Sequence, residues 1–448
     1  MAVRVHAELG STAPAVDRLQ AFFEVLFFLS LTPEEAEFST CAVIYASAEQ
    51  CQATSASDES WEFHNLETPI PFDVKSLAKL SHAADPWCTA LLVGEGGGGE
   101  LVIWGLLDQF TSIRQFQVFA APGTLLPPGV LHARIVGVGN ITVFDRDLRP
   151  LASLIKGDLP TFYDVLERGP VGRCLDRWLQ NLRPAVDKAM ARLARIEGTV
   201  RPITTEDLAA VFNVLAKMSL RRVLIAVRDY GHGGAILLSP DVSNQFLDVH
   251  FRMVYRRLVQ ALCRAAHYNC MQKWLNDVLS DGTLVPRSFA ESHLRVERSA
   301  NPALGEVTGC VRFIASLTRV DGLVLLDSNL VLRGFGCKIN NIPDLPTLHL
   351  AGDEDGHTLG TDTAQRFGTR HQSMMRFCSQ IPDSIGFVVS QDGDVRAMTR
   401  VGDNLVLWEN VYLELTASTA SPVPPIFSVP PGTPPLTSEM VRQALDDV

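Results

Sequence analysis

The spacing of apolar positions changes along the chain, and the changes divide it. Over residues 1–160 short apolar runs, TALLVG, ELVIWG, ARIVGVG and ITVFD, alternate with the glycine and proline of GEGGGG and APGTLLPPG, a pattern of strands joined by turns in a sheet-rich, sensor-like domain. From Pro160 to about Arg222 apolar positions recur at helical spacing, most clearly in DRWLQNLRPAVDKAMARLARI and EDLAAVFNVLAKMSL; Pro184 is expected to divide the first. RRVLIAVRDYGHGGAILLSPD reads as strand, turn, strand. The stretch FRMVYRRLVQALCRAAHYNCMQKWLNDVL is long enough to bridge subdomains, with Arg256, Arg257 and Arg264 on its polar side as a solvated face or an anion site. Residues 161–294 thus form a helical and mixed connecting or regulatory region. In residues 295–420, EVTGCVRFIASLTRV supplies an apolar helix, GLVLLD and LVLRGF a hairpin around Ser328 and Asn329, and IGFVVS a short buried strand. The fold class is α/β (α+β).

Composition narrows this picture. A chain of 448 residues, 46% apolar, can bury more than one core and suits two or three domains. FFEVLFFLSL is about half the length of a membrane span and lacks a preceding basic region. A cytoplasmic location without a membrane partner is the expectation. The nine cysteines form no CxxC pair, which argues against a disulfide framework or a sequence-local zinc site. A net charge of −11 disfavours general nucleic-acid binding while leaving room for a local basic pocket. Seven prolines between Pro422 and Pro435 favour an extended tail over residues 421–448.

The chemistry concentrates between Asp321 and Trp408. Asp321 and Gly322 precede an aliphatic run, so the carboxylate stands at the mouth of a strand, where it serves as a divalent-metal ligand or as part of a simple turn. In FGTRHQSMMRFC, Thr369 is expected to cap a helix whose first turn carries Arg370 and His371, with Met374, Met375, Phe377 and Cys378 on its apolar side. A helix start presents amide hydrogens to phosphate, and arginine adds a cationic fork, which makes Arg370 the leading phosphate ligand. His371 either touches phosphate or makes a structural hydrogen bond. In SQDGD, Ser390 faces the nucleotide and Asp392 completes a metal shell, or the segment is a plain hairpin turn. Gly334, Gly336 and Gly368 would let backbone approach a nucleotide closely, with Leu323 and Phe335 as apolar boundaries. Gly96 to Gly99 is a phosphate loop or a flexible turn, without a following GK[ST]. His232, inside GHGG, has a ligand-sensing or catalytic role or is a polar residue in a permissive turn.

VDGLVLL, LRGFGCKI, FGTRHQSMMRFC and IGFVVSQDGDV, in that order, resemble the diadenylate cyclase domain family, in the branch with an extra N-terminal sensor-like region. The resemblance covers roughly residues 295 to 415. It implies a mixed central sheet flanked by helices and the condensation of two ATP molecules into cyclic di-AMP with release of two pyrophosphates. The family's DGA motif falls on Asp321, Gly322 and Leu323, its RHR motif on Arg370, His371 and Gln372, and its SEE segment on Ser390, Gln391 and Asp392. By that resemblance, Mg²⁺ or Mn²⁺ is held by Asp321 and Asp392, ATP is the substrate, and a homodimer or higher homo-oligomer sets two active sites face to face. Leu323, Gln372 and Gln391 depart from the family pattern. They keep open a noncatalytic nucleotide-responsive regulator as the alternative.

Overall fold

The computed structural model describes residues 1–34, 37–55, 61–84, 89–109, 129–146, 150–155, 157–196, 205–280, 287–344 and 347–413; the proline-rich 421–448 lies outside them. The described residues fall into two compact units, 1–161 and 162–413. In the first, β1 (Pro33–Glu34) and β2 (Glu37–Phe38) make a small antiparallel pair. The strands β3 (Cys41–Tyr45), β4 (Trp61–Pro71), β5 (Thr89–Glu95), β6 (Leu101–Gln109), β7 (Leu131–Gly137), β8 (Asn140–Phe144) and β9 (Pro150–Ile155) form one sheet, ordered β4-β6-β5-β3-β7-β8-β9. Four helices accompany it among the described residues: α1 (Ala2–Leu9), α2 (Val16–Ser30), α3 (Ala48–Ser55) and α4 (Val74–Ser81). Alternation sorts the sheet's two faces. Val43, Leu91 and Val93 pack with Leu19, Phe22, Leu26 and Leu29 of α2, while Ile44, Leu92 and Leu107 cluster with Cys51 of α3. FFEVLFFLSL therefore lies largely in α2, a core helix. Gly96 to Gly99 form the turn between β5 and β6, closed by the Gly99 N–H donating to Gly96 O at 2.9 Å.

The second unit contains α5 (Gly169–Ile196), α6 (Thr205–Asp229), β10 (Gly234–Ser239), β11 (Leu247–Tyr255), α7 (Arg257–Ser280) and α8 (Arg287–Leu317). It continues with β12 (Leu323–Asp327), β13 (Leu332–Ile339), β14 (Leu348–Ala351), β15 (Leu359–Asp362), α9 (Thr369–Gln380), β16 (Ile385–Val389), β17 (Val395–Val401) and β18 (Asn404–Trp408). Nine strands make a mixed sheet ordered β11-β13-β12-β10-β16-β17-β18-β14-β15, in which β10 runs parallel to β12 and antiparallel to β16. These three central strands are buried along their whole length. One face places Ala235, Leu237, Leu323, Leu325 and Val388 against Met374, Met375, Phe377 and Cys378 of α9. The other buries Ile236, Leu238, Val324 and Leu326. The protein is thus a mixed α/β chain.

Several local expectations change. RRVLIAVRD is the end of α6, not a strand; Val223, Leu224, Ile225 and Val227 are all buried, and an apolar run covered on every side carries no period to separate helix from strand. Pro184 lies inside the continuous α5, where the flanking Leu182 and Val186 are packed. The expected boundary at 294–295 does not divide the sheet, which draws β10 and β11 from the preceding segment. Arg257 and Arg264 pair with Glu306 on α8. Eight described cysteines are free and buried. Among the described residues no helix is long and apolar enough to cross a membrane.

Candidate functional site

The site is built on the ends of β12 and β13 and the start of α9. Asp321 and Gly322 form the bend that leads into β12, and Gly322 has φ +109. A Cβ there would lie 2.6 Å from the carbonyl carbon of Gly336 and 2.7 Å from Cys337 O. Glycine is therefore required for the two strands to close at this end. Gly336, at φ +62, sits under the Phe251 ring, which stacks on Phe335 with centroids 4.8 Å apart. Gly334 pairs with Arg252 across the β11–β13 ladder. The closure leaves the Asp321 carboxylate 88% exposed.

α9 begins at Gly368, an extended N-cap that supplies no side-chain cap. Thr369, the expected cap, is the first helical residue instead. The first bond of the helical ladder runs from the Gln372 N–H to Gly368 O at 3.1 Å, so the amides of Thr369, Arg370 and His371 lie outside that ladder. Arg370 reaches to 3.9 Å from Asp321 and is 39% exposed. At that separation the contact is an ion pair rather than a hydrogen bond. Gln372 donates its side-chain amide to Phe367 O at 2.6 Å, which fixes the loop entering α9. Leu323, expected as an apolar boundary of the site, is 5% exposed and packs in the core beneath α9.

His371 is half-buried against Phe367, with ring centroids 5.7 Å apart. Burial, then the Arg396 and Arg370 guanidiniums, push its pKa down to about 4. The imidazole is therefore neutral at pH 7. Arg396 on β17 brings Nη1 within 3.4 Å of His371 Nε2 and donates through Nη2 to Asp394 at 3.2 Å. Residues 9–108 match the family model described as probable sensor domain DACNV. The match lies in the first unit and reaches from α1 into β6. No curated protein matches the chain.

The acidic turn between β16 and β17 closes through the Ser390 N–H to Asp394 O at 2.9 Å, while Ser390 Oγ accepts the Asp394 N–H at 3.1 Å. Ser390 is thereby engaged in holding the turn. Asp392 is exposed at the turn, and it is Asp394 that joins the site, through Arg396. A Cβ on Gly233 would meet Val389 O at 2.9 Å, so the GHGG turn backs directly onto this hairpin. His232 within it stacks on Tyr230 at 6.2 Å and its Nδ1 lies 2.6 Å from Gly233 O. Among the described residues no three His, Cys, Asp or Glu side chains converge as a metal cluster. Asp321, Arg370 and His371 are brought to one place; Arg396 and Asp394 join them, and sequence reasoning missed both. The available signal was Arg396 directly after the SQDGD turn, two residues beyond Asp394 and on the strand that leaves it.

Proposed function

We propose that the unit of residues 162–413 is a diadenylate cyclase, joining two ATP molecules into cyclic di-AMP and releasing two pyrophosphates. The observation that carries this reading is the meeting of the exposed Asp321 carboxylate with Arg370 on the open first turn of α9, at 3.9 Å. Free helix amides and a guanidinium fork suit a polyphosphate. Asp321 suits Mg²⁺ or Mn²⁺, because such ions take one or two carboxylates and complete their shell with water and substrate phosphate. When bound, the ion would neutralise phosphate charge. Arg370 binds the phosphate oxygens; neutral His371 donates a hydrogen bond without adding charge; Asp321 orients the attacking 3′-hydroxyl. That oxygen gives up its proton to water and forms a bond to the α-phosphorus of the second ATP as the bond to pyrophosphate breaks. The reciprocal step closes the ring.

Reciprocal attack needs two facing sites, hence a homodimer, permanent or transient. The probable sensor domain matched at 9–108 supports a regulatory first unit, as the sensor-bearing branch would have, and a cytoplasmic setting belongs to the same reading. Incubating the full chain with ATP and Mg²⁺ or Mn²⁺ and weighing the products by mass spectrometry tests it. Cyclic di-AMP with stoichiometric pyrophosphate is expected. Saturable ATP binding with no pyrophosphate under either metal would overturn the cyclase assignment and favour the nucleotide-responsive regulator.

A further inference from the structure

Arg396 has no role in the chemistry above, yet its surroundings are built. Its side chain is 16% exposed, and its Nε is buried without a hydrogen-bond partner, 4.0 Å from Glu409 Oε1. The guanidinium lies 5.6 Å from the centre of the Phe367 ring, the ring that also flanks His371. Asp394 holds Nη2 at 3.2 Å, which aims Nη1 at His371 Nε2, 3.4 Å away. A guanidinium has donors and no acceptor, so in this contact the imidazole must accept. Nε2 then carries the lone pair and the ring proton sits on Nδ1. The charged groups facing the ring are Arg370, on its own helix, and Arg396, from β17; Asp394 and Glu409 face Arg396 and hold it in place.

We infer that Arg396 is a positioning residue that locks His371 as the neutral Nδ1–H tautomer, so that the ring offers its proton, rather than a lone pair, to the anionic ligand at the start of α9. The ligand half of this statement rests on the nucleotide reading of the site; the tautomer half stands on the Arg396–His371 contact. A lone pair turned toward phosphate would repel it, and a mobile tautomer would spend part of its time doing so. Arg396 converts an ambiguous ring into a fixed donor, in the way that a second partner sets the tautomer of a metal-bound histidine.

The test is ¹⁵N NMR of the full chain labelled at histidine, with His371→Asn identifying the resonances by their loss. In the parent at pH 7, Nδ1 should show a protonated, pyrrole-type shift and Nε2 an unprotonated, pyridine-type shift. An Nε2–H or mixed tautomer overturns the inference without any Arg396 variant. Arg396→Gln, whose amide can donate or accept, should mix the tautomers and raise the His371 titration midpoint, since a neighbouring like charge is gone while the burial of the ring remains. Arg396→Lys, which keeps the charge and the donor, should restore most of the parent spectrum. An unchanged spectrum and midpoint in folded Arg396→Gln also overturns it. Calorimetry with inorganic tripolyphosphate separates the two readings: a parent that shows the Nδ1–H signature but binds neither tripolyphosphate nor ATP retains the positioning role and sinks the nucleotide site.

Discussion

Replacing Gly322 by alanine puts a methyl group where the structure has no space for one. The new Cβ would stand 2.6 Å from the Gly336 carbonyl carbon, 2.7 Å from Cys337 O and 2.9 Å from Gly336 Cα, all backbone atoms with no rotamer to escape into. Two costs add. Holding a non-glycine residue at φ +109 costs roughly 1–3 kcal/mol, and spreading two paired strands to relieve the overlap costs a further 1–3 kcal/mol or so. The smaller conformational freedom of the unfolded alanine chain offsets about 0.4–1 kcal/mol. A net loss of about 3 kcal/mol is expected. Urea unfolding of the full chain, followed by tryptophan fluorescence, measures it. Gly309→Ala serves as the control: it lies in α8 with nothing within 4 Å of its Cβ, and should stabilise by about 0.5–1 kcal/mol through helix propensity alone. Turnover should fall with stability in Gly322→Ala, because Asp321 is the adjoining residue. A Gly322→Ala chain that loses less than about 1 kcal/mol would refute the close β12–β13 junction on which the placement of Asp321 depends.

Asp321→Asn should reduce cyclic di-AMP formation far more than ATP binding, because its charge matters most as the transition state develops; equal losses in kcat and binding would remove it from the chemical step. Arg370→Ala should weaken ATP binding by roughly 1.5–3 kcal/mol on calorimetry while leaving the urea midpoint nearly unchanged, since its exposed ion pair to Asp321 contributes little to folding. Parent-like binding would mean that the phosphate site is on another element. For His371 the folded pKa of about 4 lies below the ordinary 6.5, so the unfolded chain binds more protons between these values and stability falls as pH drops from 6.5 to 4. Urea midpoints across that window should show a gentler slope in His371→Gln than in the parent; identical slopes would refute the neutral, buried ring.

Much of the local structure was legible in the sequence. TALLVG, GLVLLD and IGFVVS became strands because a short apolar run ending at a turn has few other ways to be buried. The start of α9 was also readable, since Met374, Met375, Phe377 and Cys378 recur on one helical face and Arg370 and His371 must then lie in its first turn. Pattern records that a residue is buried, however, and not against what. Nothing in GAILLS says that β10 slots between β12 and β16, or that Leu323 packs beneath α9; those outcomes depend on pairing across long stretches of chain. The same limit explains VLIAV within α6, whose all-round burial erased its period. The residues of the Asp321–Trp408 segment were determined by sequence, but their meeting was not. Arg396 comes to His371 because β17 returns antiparallel along β16 and presents its side chain beside α9, a neighbourhood that exists only once the sheet has formed. Likewise Gly322 is obligatory because of Gly336, fourteen residues away in sequence and in contact only through the hairpin. Chemistry-bearing residue types are local properties of the chain, whereas their distances and tautomers are set by non-local packing.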